Sequence, residues 1–234
     1  MEIIILSGGL GTRLRSVVKD IPKTMAIVNN KPFLERTFDY LQKFDITKAV
    51  LAVGYKKEYI EEYFGNKYKN IDIIYSEEKE SLGTGGAVKK ALKKCSDENI
   101  LVINGDIYAN VNLQEMMEKH LKSNKDITIA VKEMKNVERF GTVKIEDDRI
   151  VNFIEKKHIE KGYINIGYYI IKKNVFDGKI DLDKFSLEKD FFEKYAKIDN
   201  FGAYKYTGEF VDIGIPEDYN KLCNMLKTQE EEWN

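Results

Sequence analysis

The chain is poor in several residue types that carry chemistry. Its 234 residues include only three prolines, two cysteines, two histidines and one tryptophan. Cys95 and Cys223 stand far apart and form no C-x-x-C, which excludes a disulfide framework and a thiol redox motif; both are expected to be reduced, buried thiols. With His120 and His158 alone, a zinc site or a histidine-based triad lacks support. No apolar run is long enough to span a bilayer, and the chain enters a strand without a signal-peptide pattern. A formal net charge of −1 argues against nucleic acid or an anionic membrane as main partner. A cytoplasmic setting is the expectation.

What is present suits one sizeable α/β domain, with 43% hydrophobic and 33% charged residues. That domain is expected over 1–228, followed by a frayed polar tail at 229–234. Ile3-Ile4-Ile5-Leu6 reads as a strand buried on both faces. Further strands are predicted at 48–53, 71–75, 99–103 and 126–131. Helices are predicted at 33–44, 56–64 (with Tyr59, Ile60 and Phe64 as its apolar side) and 84–95, and around Leu113, Met116, Met117 and Leu121. Residues 139–145 and 149–154 form a hairpin pattern about the acidic turn Glu146-Asp147-Asp148. Late strands at 201–206 and 209–211 precede a helix that buries Tyr219, Leu222, Cys223 and Leu226. The alternation predicts a Rossmann-like α/β fold. Its sheet is mixed but mainly parallel, with helices on both faces and an antiparallel extension. Ligands of such sheets bind beyond the carboxyl ends of the strands.

The first such end carries Ser7-Gly8-Gly9-Leu10-Gly11-Thr12-Arg13. Three glycines allow a sharp turn, expose N–H groups and permit close approach of an anion. Arg13 adds a fork of donors suited to phosphate. Pro22-Lys23 brings a second cation on a stiffened segment. A dinucleotide fingerprint is excluded, because Leu14 stands where the third glycine is required, and no Walker A loop occurs. Asp106 closes Asn104-Gly105-Asp106 at the end of another buried strand, and Asp212 closes a later one. Carboxylates in that position are hard oxygen ligands suited to Mg²⁺; an Asx turn or helix cap is the alternative.

GG-x-GTRL, a spacer and PK-x-M together resemble the signature of the sugar-1-phosphate nucleotidyltransferases, and later motifs carry the resemblance to about Tyr219. The resemblance implies the nucleotide-diphospho-sugar transferase fold. It also implies joining of a nucleoside triphosphate to a sugar 1-phosphate with release of pyrophosphate. Within the family, the S-L-E-x-D string at Ser186 to Asp190 points to the heptose and mannose 1-phosphate guanylyltransferases. Thr24 departs from the family's usual proline, and Lys157 replaces a second one.

Site roles follow from the same resemblance. Leu6, Ser7, Gly8, Gly9, Gly11, Thr12, Arg13, Glu78, Gly83 and Thr84 would hold the nucleotide. Gly141, Glu155, Lys156 and Asn165 would hold the sugar phosphate, and Asp106 and Asp212 would hold Mg²⁺. Arg13 and Lys23 would be the catalytic cations. The loop around Glu78 lies against the base in the family. Guanine presents N1–H and N2–H₂ donors, both of which an ionised carboxylate can accept, so Glu78 favours GTP; Glu77 and Glu80 stand as alternatives for the role. Uracil and thymine suit an amide better. Other pairings within the class are GTP with mannose 1-phosphate, or CTP, UTP or dTTP with glucose 1-phosphate. Readings from other classes are a non-catalytic nucleotide-binding regulatory module and, third, an NAD-dependent oxidoreductase. The resemblance also suggests a homodimer and a place in nucleotide-sugar biosynthesis for capsule or surface polysaccharide.

Overall fold

Ile3 and Ile5 point to one face of a central sheet and Ile4 to the other, and all three are fully buried. This alternation on a strand covered on both sides sets the layering of the molecule. A computed structural model describes the chain apart from residues 10, 15, 16, 19, 138, 139, 155–158, 199 and 232–234.

In chain order the strands are β1 (Glu2–Leu6), β2 (Ile27–Val28), β3 (Lys31–Pro32), β4 (Lys48–Val53), β5 (Lys67–Tyr68), β6 (Ile71–Glu77), β7 (Asn99–Asn104) and β8 (Ile107–Ala109). They continue with β9 (Ile127–Val137), β10 (Thr142–Glu146), β11 (Arg149–Ile154), β12 (Ile159–Lys172), β13 (Phe201–Lys205) and β14 (Phe210–Asp212). The helices are α1 (Phe33–Leu41), α2 (Lys57–Phe64), α3 (Gly83–Leu92), α4 (Leu113–Ser123), α5 (Glu193–Tyr195) and α6 (Pro216–Glu231). A π-helical segment, Leu187–Phe192, leads into α5.

Ten strands form the main sheet in the order β10-β11-β13-β9-β12-β7-β1-β4-β6-β5. Pairing is parallel where β7, β1, β4 and β6 meet, and again between β9 and β13. β12 runs antiparallel to both β7 and β9, and β11 runs antiparallel to β10 and β13. The sheet is thus mixed, parallel around its first strand and extended by antiparallel strands beyond β7. Helices α1, α2 and α4 pack Phe38, Leu41, Ile60, Phe64 and Met116 against the Ile3 and Ile5 face. On the Ile4 face, α3 supplies Val88 and Ala91, and the π-helical segment supplies Phe191 and Phe192. Helix α6 buries Leu222 and Leu226 in a separate cluster with Leu14, Phe33 and Ile213.

The chain leaves β1 toward β4 and β6, then returns through α3 to β7 on the other side of β1. That reversal is a topological switch point, and it puts a crevice beyond the carboxyl ends of β1 and β7.

Three local expectations need correction. Helix α4 buries Leu113, Met116, Met117 and His120, whereas Leu121 is 57% exposed. Leu121 lies about 80° around the helix from Leu113, at the edge of the stripe, while His120 falls inside it. His120 is accommodated because Asn99 Oδ1 lies 3.0 Å from its Nε2 and Thr128 Oγ1 lies 2.8 Å from its Nδ1. Tyr59 is 44% exposed, since α2 presents only Ile60 and Phe64 to the core. Cys95 is buried as expected, but Cys223 is half-buried. The hairpin closes at Asp147 and Asp148, both left-handed (φ 47° and 59°), as a two-residue turn between twisted strands requires. Arg139, at the start of the expected hairpin, lies outside the described residues.

Candidate active site

Four chain segments converge on the crevice. The first leaves β1 at Leu6. Ser7 is buried, its N–H donating to Ala52 O at 2.8 Å, and Gly9 has nothing within 4 Å of where a β-carbon would stand. Gly11 adopts φ +56°, a conformation glycine tolerates without strain. It opens a 3₁₀ turn, Thr12–Leu14, in which Arg13 is solvent-exposed. Leu14 anchors this turn in the α6 cluster.

The second segment carries Lys23. Pro22 holds φ at −58° and starts a 3₁₀ turn, Lys23–Met25, in which Met25 N–H donates to Pro22 O at 2.8 Å. Thr24 and Met25 are buried, so the turn is anchored and Lys23 is aimed into the crevice.

The third and fourth segments bring the two aspartates together. Asp106 follows β7, and Gly105 N–H donates to Leu6 O at 2.9 Å, tying this end to β1. A β-carbon on Gly105 would stand 2.6 Å from that same oxygen, so only glycine fits. Strand β14 pairs antiparallel with β8, setting Asp212 opposite Ile107, and Ile213 N–H donates to Asp106 O at 3.0 Å. Lys23 Nζ donates to Asp106 Oδ2 at 2.6 Å and lies 3.5 Å from Asp212 Oδ1, which also accepts Gly214 N–H at 2.7 Å.

Two adjoining cavities, of about 170 and 160 Å³, share Leu6, Gly9 and Thr84. The first reaches Gly8, Glu78 and Gly83. The second reaches Ser7, Lys23, Thr24, Asn104 and Asp106. Ser7 Oγ, Thr24 Oγ1 and Asn104 Oδ1 are buried in its floor with no partner among the described residues. Buried polar atoms of that kind are ordinarily satisfied by water or ligand, so the floor is a polar one. A more capacious hollow, about 560 Å³, lies elsewhere, near Lys93, Glu98 and Lys173 at the amino end of β7. None of the site residues expected from sequence lines it.

Of the three candidate glutamates, only Glu78 lines the first cavity among the described residues. Glu77 turns outward to Lys57 at 3.1 Å, and Glu80 is exposed. Glu78 Oε2 accepts Leu82 N–H at 3.0 Å, which leaves Oε1 facing Gly8. Burial raises the Glu78 carboxyl above its ordinary value, outweighing the Leu82 hydrogen bond and the nearby Lys90 charge.

The glycines of the second loop serve a purpose the sequence did not disclose. A β-carbon on Gly83 would lie 2.5 Å from Phe185 O, one on Gly85 would lie 2.1 Å from the Phe185 ring, and one on Gly86 would lie 2.2 Å from Asp183 O. The N–H groups of Gly85 and Gly86 both donate to Phe185 O. Their close approach is therefore to the chain's own 183–185 segment. Gly83 and Thr84 still line the cleft, and the Thr84 hydroxyl donates to Glu188 Oε2 at 2.7 Å. Ser186 caps the π-helical segment by accepting Lys189 N–H at 3.1 Å, and Asp190 Oδ2 accepts Ser186 N–H at 2.6 Å in return.

Where the resemblance leads one to expect the sugar phosphate, Gly141 O accepts Asn165 N–H at 2.9 Å. Asn165 sits at an irregularity of β12 where Gly167 has φ +75°. Its Oδ1 accepts Gly167 N–H and its Nδ2 donates to the buried Tyr169 hydroxyl, both at 2.9 Å. Glu155, Lys156 and Lys157 lie outside the described residues. Beside Asp212, a hollow of about 270 Å³ is walled by Phe140 and Phe210, whose rings meet edge-on at 5.3 Å, and by Lys221. The sequence reading missed these three, because an aromatic at a strand edge and a lysine on a helix carry no distinguishing pattern.

Among the described residues no cluster of three or more His, Cys, Asp or Glu is arranged to hold a metal. Two carboxylates nonetheless suit Mg²⁺, which binds one or two protein carboxylates and completes its shell with water and substrate phosphates. The Lys23 ammonium, drawn between the two aspartates, is a stand-in showing that the pair favours a cation at that point.

Residues 2–229 match the nucleotidyl transferase family. The chain is 50% identical to the D-glycero-alpha-D-manno-heptose 1-phosphate guanylyltransferase of Aneurinibacillus thermoaerophilus, over 97% of this chain and 99% of that one. It is 45% identical to the enzyme of the same name from Campylobacter jejuni, over 94% and 97%. Among solved structures, HddC from Yersinia pseudotuberculosis complexed with GMP-PN superposes with a TM-score of 0.83 at 38% identity, covering 96% of this chain and 99% of that one.

Proposed function

We propose that this chain, which belongs to the nucleotidyl transferase family, joins GTP and D-glycero-α-D-manno-heptose 1-phosphate into GDP-heptose and releases pyrophosphate. The observation that carries the reading is the meeting of Lys23, Asp106 and Asp212 in a crevice that opens onto Glu78. The curated guanylyltransferases named above support the choice of guanine and of heptose.

The sugar phosphate attacks the α-phosphorus of GTP. A bond forms between a sugar-phosphate oxygen and that phosphorus. The bond to the β-phosphate oxygen breaks, and pyrophosphate leaves in line with the electron pair. The nucleophile needs no protein base, because the second pKa of a phosphate monoester is about 6. The obstacle is repulsion between polyanions, so the protein's task is positioning and charge neutralisation.

The glycine loop lets the triphosphate approach the backbone, and exposed Arg13 holds its outer phosphates and the leaving pyrophosphate. Lys23 sits beside the α-phosphate and offsets charge that develops there. Glu78 Oε1 accepts from guanine N1–H and N2–H₂. Asn165, held at both ends, presents its remaining amide hydrogen and lone pair to sugar hydroxyls, while Glu155 and Lys156 take the sugar and its phosphate. Asp106 and Asp212 would hold Mg²⁺, which would screen the phosphates and polarise phosphoryl oxygens.

Incubation with GTP, Mg²⁺ and the heptose 1-phosphate, followed by mass spectrometry of the products, tests the reading. GDP-heptose and pyrophosphate in equal amounts are expected. Pyrophosphate formed without sugar phosphate, or no nucleotide sugar, overturns it.

A further inference from the structure

Lys23 does more than wait for a phosphate, because its ammonium lies where the two aspartates converge. Its side chain is only 11% exposed, and both of its charged contacts among the described residues are to the carboxylates assigned to the metal. A divalent ion bound by those carboxylates at about 2.1 Å and an ammonium lying 2.6 and 3.5 Å from them would be two cations at nearly one point, which repel steeply. Two glycines lie close against Lys23. A β-carbon on Gly214 would already be 3.0 Å from Nζ, and one on Gly11 would be 3.0 Å from Lys23 Cβ. An open direction is the cavity lined by Gly9 and Thr84, beneath the nucleotide loop.

We propose that Lys23 competes with the divalent cation for Asp106 and Asp212, and that nucleotide binding relieves the competition by giving the ammonium a phosphate to hold. Until then Lys23 keeps the two carboxylates together, and a metal ion binding alone must push it aside. A triphosphate in the cleft draws Lys23 off the aspartates and brings its own oxygens to the metal, so metal and nucleotide favour each other through one lysine. The proposal rests on the metal-binding reading of the two aspartates and on the phosphate-contact reading of Lys23.

The test is Mn²⁺ binding to the full chain, followed by the electron paramagnetic resonance of the free ion, with and without β,γ-imido-GTP. Lys23→Met, and Lys23→Gln should the first variant misfold by circular dichroism, are expected to bind Mn²⁺ roughly tenfold more tightly than the wild type without nucleotide. Arg13→Met removes an exposed charge that pairs with neither aspartate, and without nucleotide it should change Mn²⁺ binding by less than about twofold. With the nucleotide analogue, the wild type should gain more affinity than the Lys23 variant, closing or reversing the gap. Equal or weaker Mn²⁺ binding by the Lys23 variants overturns the competition, as does an equal effect of Arg13→Met. A gap that the analogue leaves unchanged overturns the relief by nucleotide. Asp106→Asn separates this proposal from its premise: undiminished Mn²⁺ binding there refutes the aspartate site itself, whatever Lys23 does.

Discussion

A β-carbon placed on Gly8 would stand 2.7 Å from Oε1 of Glu78. The glycine loop after β1 and the glutamate after β6 thus meet directly, and the oxygen left unpaired by Leu82 is the one that faces the cleft. Any side chain at Gly8 must displace the carboxylate assigned to guanine.

Glu78→Gln is expected to lower kcat/KM for GTP by about 10- to 100-fold, because the amide loses the charge and sets its NH₂ either against the guanine donors or, with its oxygen in the place of Oε1, against the Leu82 N–H. The same change should raise Tm slightly. The folded-state carboxyl is raised by burial, so its contribution to stability is present below the unfolded pKa and is lost as pH rises through the folded value. At neutral pH the buried charge therefore costs stability that glutamine does not. The wild-type KM for GTP should rise as pH falls through the raised Glu78 value, and the variant should lack that dependence. A variant with unchanged GTP kinetics would remove Glu78 from base recognition.

Lys23→Ala should lower kcat by roughly 10²- to 10³-fold with a smaller effect on KM for GTP, since the ammonium acts chiefly on charge that builds at the α-phosphorus. Circular dichroism should show an intact fold, because the lysine anchors no part of the core. Steady-state kinetics showing near wild-type turnover would contradict the role.

Chelation of divalent ions should abolish turnover, and added Mg²⁺ should restore it. Asp212→Asn is the sharper variant, because its amide oxygen can keep the Gly214 N–H contact made by Oδ1. Loop geometry is then preserved while a charge is lost. Turnover at saturating Mg²⁺ should fall at least tenfold for Asp106→Asn and for Asp212→Asn. Activity in the presence of EDTA would exclude the metal reading.

His120 makes stability fall on the acid side. Burial pushes its pKa down to about 4, so the fold holds it neutral while the unfolded chain protonates near 6.5. A group depressed in this way contributes stability that is full above the unfolded value and is lost as pH falls toward the folded one. Between pH 7 and pH 5 the loss is on the order of 2 kcal/mol. Nε2 faces Asn99 Oδ1, which only accepts, so the neutral ring carries its proton there and accepts from Thr128. Urea melts at the two pH values should show the loss in the wild type and a smaller one in His120→Asn. Equal pH dependence in both proteins would contradict this.

The site was legible wherever strand-end logic applied. Asp106 closes β7 beside the reversal of the chain at β1, and Asp212 closes β14, which reaches the same crevice by pairing with β8 just after Asp106. Lys23 was legible because Pro22 and the resemblance marked it. What escaped has one physical cause, which is partners distant in sequence. The glycines at 83, 85 and 86 make room for a segment about a hundred residues later, and nothing local distinguishes that from a ligand. His120 in place of Leu121 depended on hydrogen-bond partners from β7 and β9. Phe140 and Phe210, seventy residues apart in the chain, meet edge-on in the wall of one hollow. Thr24, read as a minor departure, places a hydroxyl in the cavity floor without a partner among the described residues.

The measurement that tests the central claim most directly is the rate of pyrophosphate release with Mg²⁺, crossing the nucleoside triphosphates with heptose, mannose, glucose and N-acetylglucosamine 1-phosphates. The account predicts the highest kcat/KM for GTP with D-glycero-α-D-manno-heptose 1-phosphate, and loss of that preference for GTP in Glu78→Gln. A higher kcat/KM with a pyrimidine nucleotide, or no release with any pair from a protein that still binds GTP, would contradict it.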